Sequence, residues 1–178
     1  MKIKLTDTIL EHANLTTDKI NFGMRAAGFN GDKKKQTMGI AAELVIYKVL
    51  GMPFPSYDEF KFGDIEINGK QIDIKTRRSS NSYMRPGWSH NLVGHQLDHL
   101  VEYLLFINYN AGQNVMEVDG WLTKKDILKN LDKWFKSEGE SSVRDDGTYL
   151  KMKTNNIEIP TEAVNKINSI EDIKKIGV

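Results

Sequence analysis

Asp64, Asp73 and Lys75 are the residues whose types and spacing could do chemistry together, and a two-residue turn is what would assemble them. In FGDIEINGKQIDIKT, from Phe62 to Thr76, Asn68-Gly69 is a preferred centre for a type I′ turn. Ile67 should then pair with Lys70 and, counting outward, Asp64 with Asp73. Strand alternation puts Asp64, Glu66, Gln71, Asp73 and Lys75 on one face and Ile65, Ile67, Ile72 and Ile74 on the other, which reads as a buried apolar face. Opposed carboxylates repel by a few tenths of a kcal/mol or more. A divalent cation between them reverses the sign, and Mg²⁺ suits oxygen ligands, taking one or two carboxylates and leaving its other positions to water and phosphate. The bland reading of the same residues is a solvated outer face, since such faces are rich in Asp, Glu and Lys.

The helix expected just before the hairpin, TMGIAAELVIYKVLG, bears on that choice. Thr37 can cap it, Gly51 sits at its stop and Pro53 lies beyond. Ile40, Ala41, Ala42, Leu44, Val45, Ile46, Tyr47, Val49 and Leu50 leave little of its circumference for solvent, so it should be a core element. Glu43 lies in the middle, with Gly39 and Tyr47 at helical spacing and no basic partner there. A buried carboxylate needs a cation, a hydrogen-bond network or a raised pKa; the alternative is a narrow exposed stripe shared with Lys48.

Glu43 on a helix, then Asp64, then Asp73-Ile74-Lys75 after a β-turn resembles the PD-(D/E)XK nuclease superfamily, over about Thr37 to Trp121. The resemblance implies a restriction-endonuclease-like fold: a mixed α/β domain with an αβββαβ core, a central mixed β-sheet flanked by helices. It implies that Glu43, Asp64 and Asp73 are metal ligands together with the backbone carbonyl of Ile74, and that Lys75 is the catalytic lysine. The expected activity is Mg²⁺-dependent hydrolysis of DNA phosphodiester bonds, with Mn²⁺ able to substitute. Gly63 stands where the family often has proline. One catalytic centre per chain would make a homodimer usual for double-strand cutting. Endonuclease, exonuclease and junction-resolvase readings all fit, as does an inactive DNA-binding module. The Gln-x-x-x-Tyr motif of some exonuclease-like branches is half present, with Gln96 but Leu100 in the tyrosine place.

The chain after the acidic site is suited to a polyanion. Between Ile74 and Leu97 it contains Lys75, Arg77, Arg78 and Arg85 and no acidic residue, with Ser79, Ser80, Asn81, Ser82, Tyr83 and Trp88 among them. Arginines and small polar donors suit phosphate oxygens, and aromatic rings can stack on bases. Lys33-Lys34-Lys35, ahead of the glutamate helix, is a second basic patch, although such runs are usually only solvated. Gln96 could hydrogen-bond a metal water or a phosphate. His95 and His99 are four apart with His90 upstream, but a zinc-peptidase motif needs glutamate after its first histidine and Gln96 stands there; the three histidines read as surface or DNA-facing.

Composition sets the frame. The chain has 178 residues, 39% hydrophobic and 28% charged, enough for one domain with a proper core. A net charge of +1 makes any nucleic-acid footprint local. With 0 Cys, thiol nucleophiles and thiolate zinc sites are excluded. No membrane span or signal-peptide core is evident, so a cytoplasmic protein is expected. No phosphate-binding glycine loop or nucleophile elbow is present. One nuclease domain is expected, with a helical part at 1–36, the catalytic core at 37–121, and a helix, loop and small hairpin at 122–178. In detail, Thr6–Ala13 and Thr16–Ala27 read as helices with a break at Gly28–Asp32. Gly94–Val101 reads as a helix, and Tyr103–Tyr109 and Val115–Trp121 as strands. A helix should run from Thr123 to about Phe135, residues 137–148 as a surface loop, and Tyr149–Lys153 should pair with Ile157–Ile159 before short helical turns at the end.

Overall fold

The structure, a computed structural model, describes residues 1–20, 33–57, 65–79, 89–143, 147 and 149–178. Asp64, Tyr83, Arg85 and Trp88 lie outside the described residues, as does the segment 21–32 with its expected helix end and break. The elements are β1 (Lys2–Lys4), α1 (Asp7–Lys19), α2 (Lys33–Val49), β2 (Ile65–Ile67), β3 (Lys70–Ser79), β4 (Ser89–Val93) and a 3-10 turn (Gly94–His99). They continue with β5 (Tyr103–Asn110), β6 (Val115–Thr123), α3 (Lys124–Lys129), α4 (Leu131–Trp134), β7 (Phe135–Lys136), β8 (Ser141–Val143), β9 (Tyr149–Lys151), β10 (Asn156–Pro160), β11 (Asn165–Lys166) and α5 (Ile170–Lys174).

The β2–β3 hairpin forms as its sequence requires. Asn68 and Gly69 have φ of 53° and 71°, the two left-handed residues of a type I′ turn. Ile67 pairs with Lys70, Glu66 with Gln71 and Ile65 with Ile72. The Asn68 amide donates to the carbonyls of Lys174 and Ile176 at 2.6 and 3.0 Å, so the end of the chain braces the turn.

The main sheet runs β1-β6-β5-β3-β2, with β11 also on β6. β3 and β5 are parallel and the other pairs antiparallel, so the sheet is mixed. One face buries Ile65, Ile67, Ile72, Ile74, Leu105 and Ile107 against Ile40, Leu44, Val45 and Ile46 of α2, with α1 packed on α2. Each such side chain contributes roughly 1.5–3 kcal/mol when fully buried. The opposite face buries Leu104, Phe106 and Leu122 against Leu92, Ile157 and Ile159 of a small β4-β10-β7 sheet, closed by Ile127 of α3 and Trp134 of α4. The architecture is mixed α/β, a mixed sheet flanked by helices. No helix among the described residues is long and apolar enough to cross a membrane.

Several sequence expectations need correction. α2 begins at Lys33, so Thr37 is not its cap; its hydroxyl donates back to the Lys33 carbonyl at 3.1 Å and lies 3.1 Å from the Thr17 hydroxyl. Thr16 and Thr17 do not open a second helix either. α1 runs through them because both are buried and the Thr17 hydroxyl bonds the Ala13 carbonyl at 2.7 Å, a back-bond within a continuing helix. The helix expected at Gly94–Val101 is only the 3-10 turn. The one expected to reach Phe135 breaks at Asn130, whose φ and ψ are −107° and 12°. Within the expected loop, β8 pairs with β9. β10 therefore does not pair with β9 but lies between β4 and β7, where Ile157 and Ile159 are buried, and burial of these two side chains decides the pairing.

Candidate active site and its surroundings

Asp73 and Lys75 occupy successive outward positions of β3, and their side chains meet. Lys75 Nζ lies 2.6 Å from Asp73 Oδ2, the two side chains being 22% and 17% exposed. Such a half-buried pair is stronger than one at the surface, because water screens it less. Both project to the face bearing Leu104 and Phe106, their lateral neighbours on β5. Ile74 points the other way into the α2 core, so only its backbone is open to a ligand role. The alternation expected from sequence holds for every described member: the isoleucines are buried while Glu66 and Gln71 are exposed.

Glu43 is 2% exposed, which rules out the exposed stripe with Lys48. Burial first, and the Glu43 charge one turn away second, push the Tyr47 phenol up from its ordinary value. α2 packs on the face carrying Ile72 and Ile74, opposite to Asp73 and Lys75.

The remaining site residues scatter. Arg77 follows on the Asp73 face, and its guanidinium donates to the Ser89 carbonyl, tying β3 to the start of β4. Arg78 is exposed on the other face. Lys33, Lys34 and Lys35 are exposed at the start of α2, and Lys33 pairs with Asp18. Gln96 is turned inward on its own turn, accepting the Val93 amide at 3.3 Å. His95 and His99 are exposed, and in a 3-10 helix of three residues per turn positions four apart no longer share a face.

His90 is the clearest departure from the sequence reading. It is 3% exposed, stacked on Phe106 at 4.6 Å between ring centres, with Nε2 3.3 Å from Asp119 Oδ2. The approach is close but not an aligned hydrogen bond. Burial lowers the His90 pKa, with the Arg77 cation acting in the same sense and Asp119 opposing, so the ring is neutral near pH 7. Asp119 reaches it from a β-bulge: Phe106 pairs with Gly120 and Ile107 with Val118, leaving Asp119 without an opposite residue. Next to this pair a polar row crosses four strands, from Arg77 through Asn108 and Glu117 to Lys2. Asn108 donates to Glu117 at 2.9 Å and Lys2 Nζ lies 3.2 Å from Glu117. None of these was legible in advance, because the bulge and the lateral neighbours are long-range pairings.

Among the described residues no group of three or more His, Asp or Glu side chains converges as a metal cluster. Asp73 and the Ile74 carbonyl are hard oxygen donors on adjacent residues, a set whose chemistry fits Mg²⁺, which needs few protein ligands. No family model, curated protein or solved structure matches the chain.

Proposed function

We propose that this chain is a Mg²⁺-dependent deoxyribonuclease of the PD-(D/E)XK type, acting as an endonuclease on DNA. The observation that carries the reading is the Asp73–Lys75 pair, half-buried on one face of a central parallel strand directly after an Asn-Gly hairpin. In this reading Asp73, the Ile74 carbonyl and Asp64, which precedes β2 in sequence, hold the cation, with Glu43 acting directly or through water. The cation, when bound, supplies Lewis-acid stabilisation of phosphate charge and a more acidic attacking water. Asp73 orients that cation and Lys75 orients the water and stabilises negative charge developing on the phosphate. The two groups then exchange partners during the reaction, since each holds the other in the structure.

Support for a polyanionic substrate comes from the start of α2. Lys33, Lys34 and Lys35 are exposed over its first described turn, which carries no acidic residue, and ammonium groups suit phosphate oxygens.

The test is incubation with supercoiled plasmid, linear duplex and single-stranded DNA in Mg²⁺, Mn²⁺ or EDTA. Metal-dependent nicking or linearisation of closed circles, absent in Asp73→Ala and Lys75→Ala, is the expected result. Degradation from ends alone would replace the endonuclease by an exonuclease. DNA binding with no scission of any of these substrates would replace the general endonuclease by the inactive binding module or by an enzyme confined to a target absent from the set, such as a junction.

A further inference from the structure

The β2–β3 hairpin is held unevenly along its length. From Ile72 to Ser79, β3 pairs residue for residue with β5 in the middle of the sheet. Lys70, Gln71 and the whole of β2 lie beyond that pairing: β2 is the outermost strand, and among the described residues its one strand partner is β3. A two-stranded hairpin is marginal by itself in water, so its tip needs a second attachment. Apolar packing supplies part of it, since Ile65 and Ile67 share the core on the α2 side of the sheet with Ile173 and Ile176.

The directional part comes from residues 170–178. α5 ends at Lys174, and the last carbonyls of a helix have no partner within it. Both hydrogens of the Asn68 amide are directed there, with Nδ2 2.6 Å from the Lys174 carbonyl and 3.0 Å from that of Ile176. The segment then turns at Gly177, where φ is 83°, so close over the hairpin that a Cβ there would lie 2.7 Å from Lys70 Cγ. The turn by itself does not require asparagine, because Asp-Gly and Gly-Gly also make type I′ turns. Of these three residue types only asparagine carries side-chain donors for two carbonyls.

We propose that Asn68 is a positioning residue, whose amide latches the hairpin tip to the 170–178 segment and so holds β2 in place beside β3. This rests on the nuclease reading, in which the cation lies between the two arms of the hairpin. Asp73 is on the arm that β5 fixes, and Asp64 comes one residue before the arm that the latch fixes. The latch therefore governs how tightly the cation is held. It does not bear on Lys75, whose strand is pinned by β5 opposite Phe106.

Asn68→Asp and Asn68→Gly test this in the full chain, since both keep a type I′ turn and both lack the amide donors. Agreement between them excludes an effect of the added charge. Ile157→Val, in the core on the other face of the sheet, is the control for a general loss of stability. The first readout is amide hydrogen exchange in EDTA. A hydrogen bond is worth a factor of roughly 2–10, so the β2 and Lys70–Ile72 amides, opening locally, should exchange about 10-fold faster in both Asn68 variants and at the native rate in Ile157→Val. The second is Mg²⁺ binding by calorimetry. With the latch gone, the ordering of β2 falls to cation binding, which should weaken several-fold in both Asn68 variants and stay native in Ile157→Val. Plasmid cleavage should then need more Mg²⁺, with the rate at saturating Mg²⁺ moving far less. Native-like exchange in both Asn68 variants of a chain that still cuts plasmid would overturn the latch and leave the nuclease standing. Faster exchange with native Mg²⁺ affinity would overturn the positioning role and reduce Asn68 to a brace. A native chain that neither binds Mg²⁺ nor cuts, with hairpin exchange still faster in both variants, would overturn the nuclease reading and leave the latch as a structural tie.

Discussion

Asp73 and Lys75 form an ion pair at 2.6 Å, and removing either member has two separable effects. Asp73→Ala takes the carboxylate away from half-buried Lys75, and Lys75→Ala takes this ammonium away from Asp73, so each should destabilise modestly. Cleavage should fall much further, by about 10²–10⁴-fold, the range for loss of a positioned proton-transfer or charge-stabilising group. Plasmid nicking rates beside urea midpoints separate the two effects; proportionate losses in both would reduce the pair to a structural ion pair. His90 makes a different prediction. Its folded-state pKa is depressed, chiefly by burial, so below about pH 6.5, the ordinary imidazole value, the unfolded chain binds more protons than the folded one. Stability should therefore fall as pH drops through that value, and His90→Gln should flatten that part of the curve. Urea midpoints at pH 7.5 and 5.5 for both proteins decide it, and equal losses would assign the pH dependence to other groups.

At the scale of elements, the Asn68-Gly69 turn carries the register of β3. Gly69 has φ of 71°, a conformation in which a side chain costs roughly 1–2 kcal/mol. No atom lies within 4 Å of where its Cβ would be, so that cost is backbone strain alone. Gly69→Val should lower stability by about that amount, measured by urea unfolding, and should lower cleavage more than this if the hairpin's register sets the acid geometry. β3 itself, with Asp73 and Lys75 outward and Ile72 and Ile74 inward, follows from two-residue alternation and could be read in advance. α2 could be read too, except for its start: Thr37 looked like a cap because threonine often is one, but packing against Thr17 of α1 draws it into the helix. His90 was misread for a related reason. Nothing in Ser-His-Asn-Leu indicates that β4 will cover Phe106 and carry the imidazole in with it.

For the whole molecule, cation binding should couple to folding. If Asp73 and its neighbours hold Mg²⁺, a tenfold excess over the dissociation constant adds about 1.4 kcal/mol to stability, or about 3–5 °C in Tm for a chain of this size. Scanning calorimetry in Mg²⁺ and in EDTA measures it, and the increment should vanish in Asp73→Ala. An equal increment in that variant would place the cation elsewhere.

Composition, the Asn-Gly turn, the alternation after it and the apolar helix around Glu43 were enough to read strand β3, its buried face and a core helix carrying the glutamate. These are short-range properties, set by turn conformation and by periods of 2 and 3.6 residues. Tertiary structure alone decided that the apolar side chains of α2 pack on the sheet face opposite to Asp73 and Lys75, that the bulged Asp119 meets His90, that Arg77 is tied to Ser89, and that β9 pairs with β8 instead of β10. Each of these joins residues distant in sequence or chooses among competing partners, and the choice is made by which apolar side chains can be buried together, a sum over the whole core that no local pattern contains.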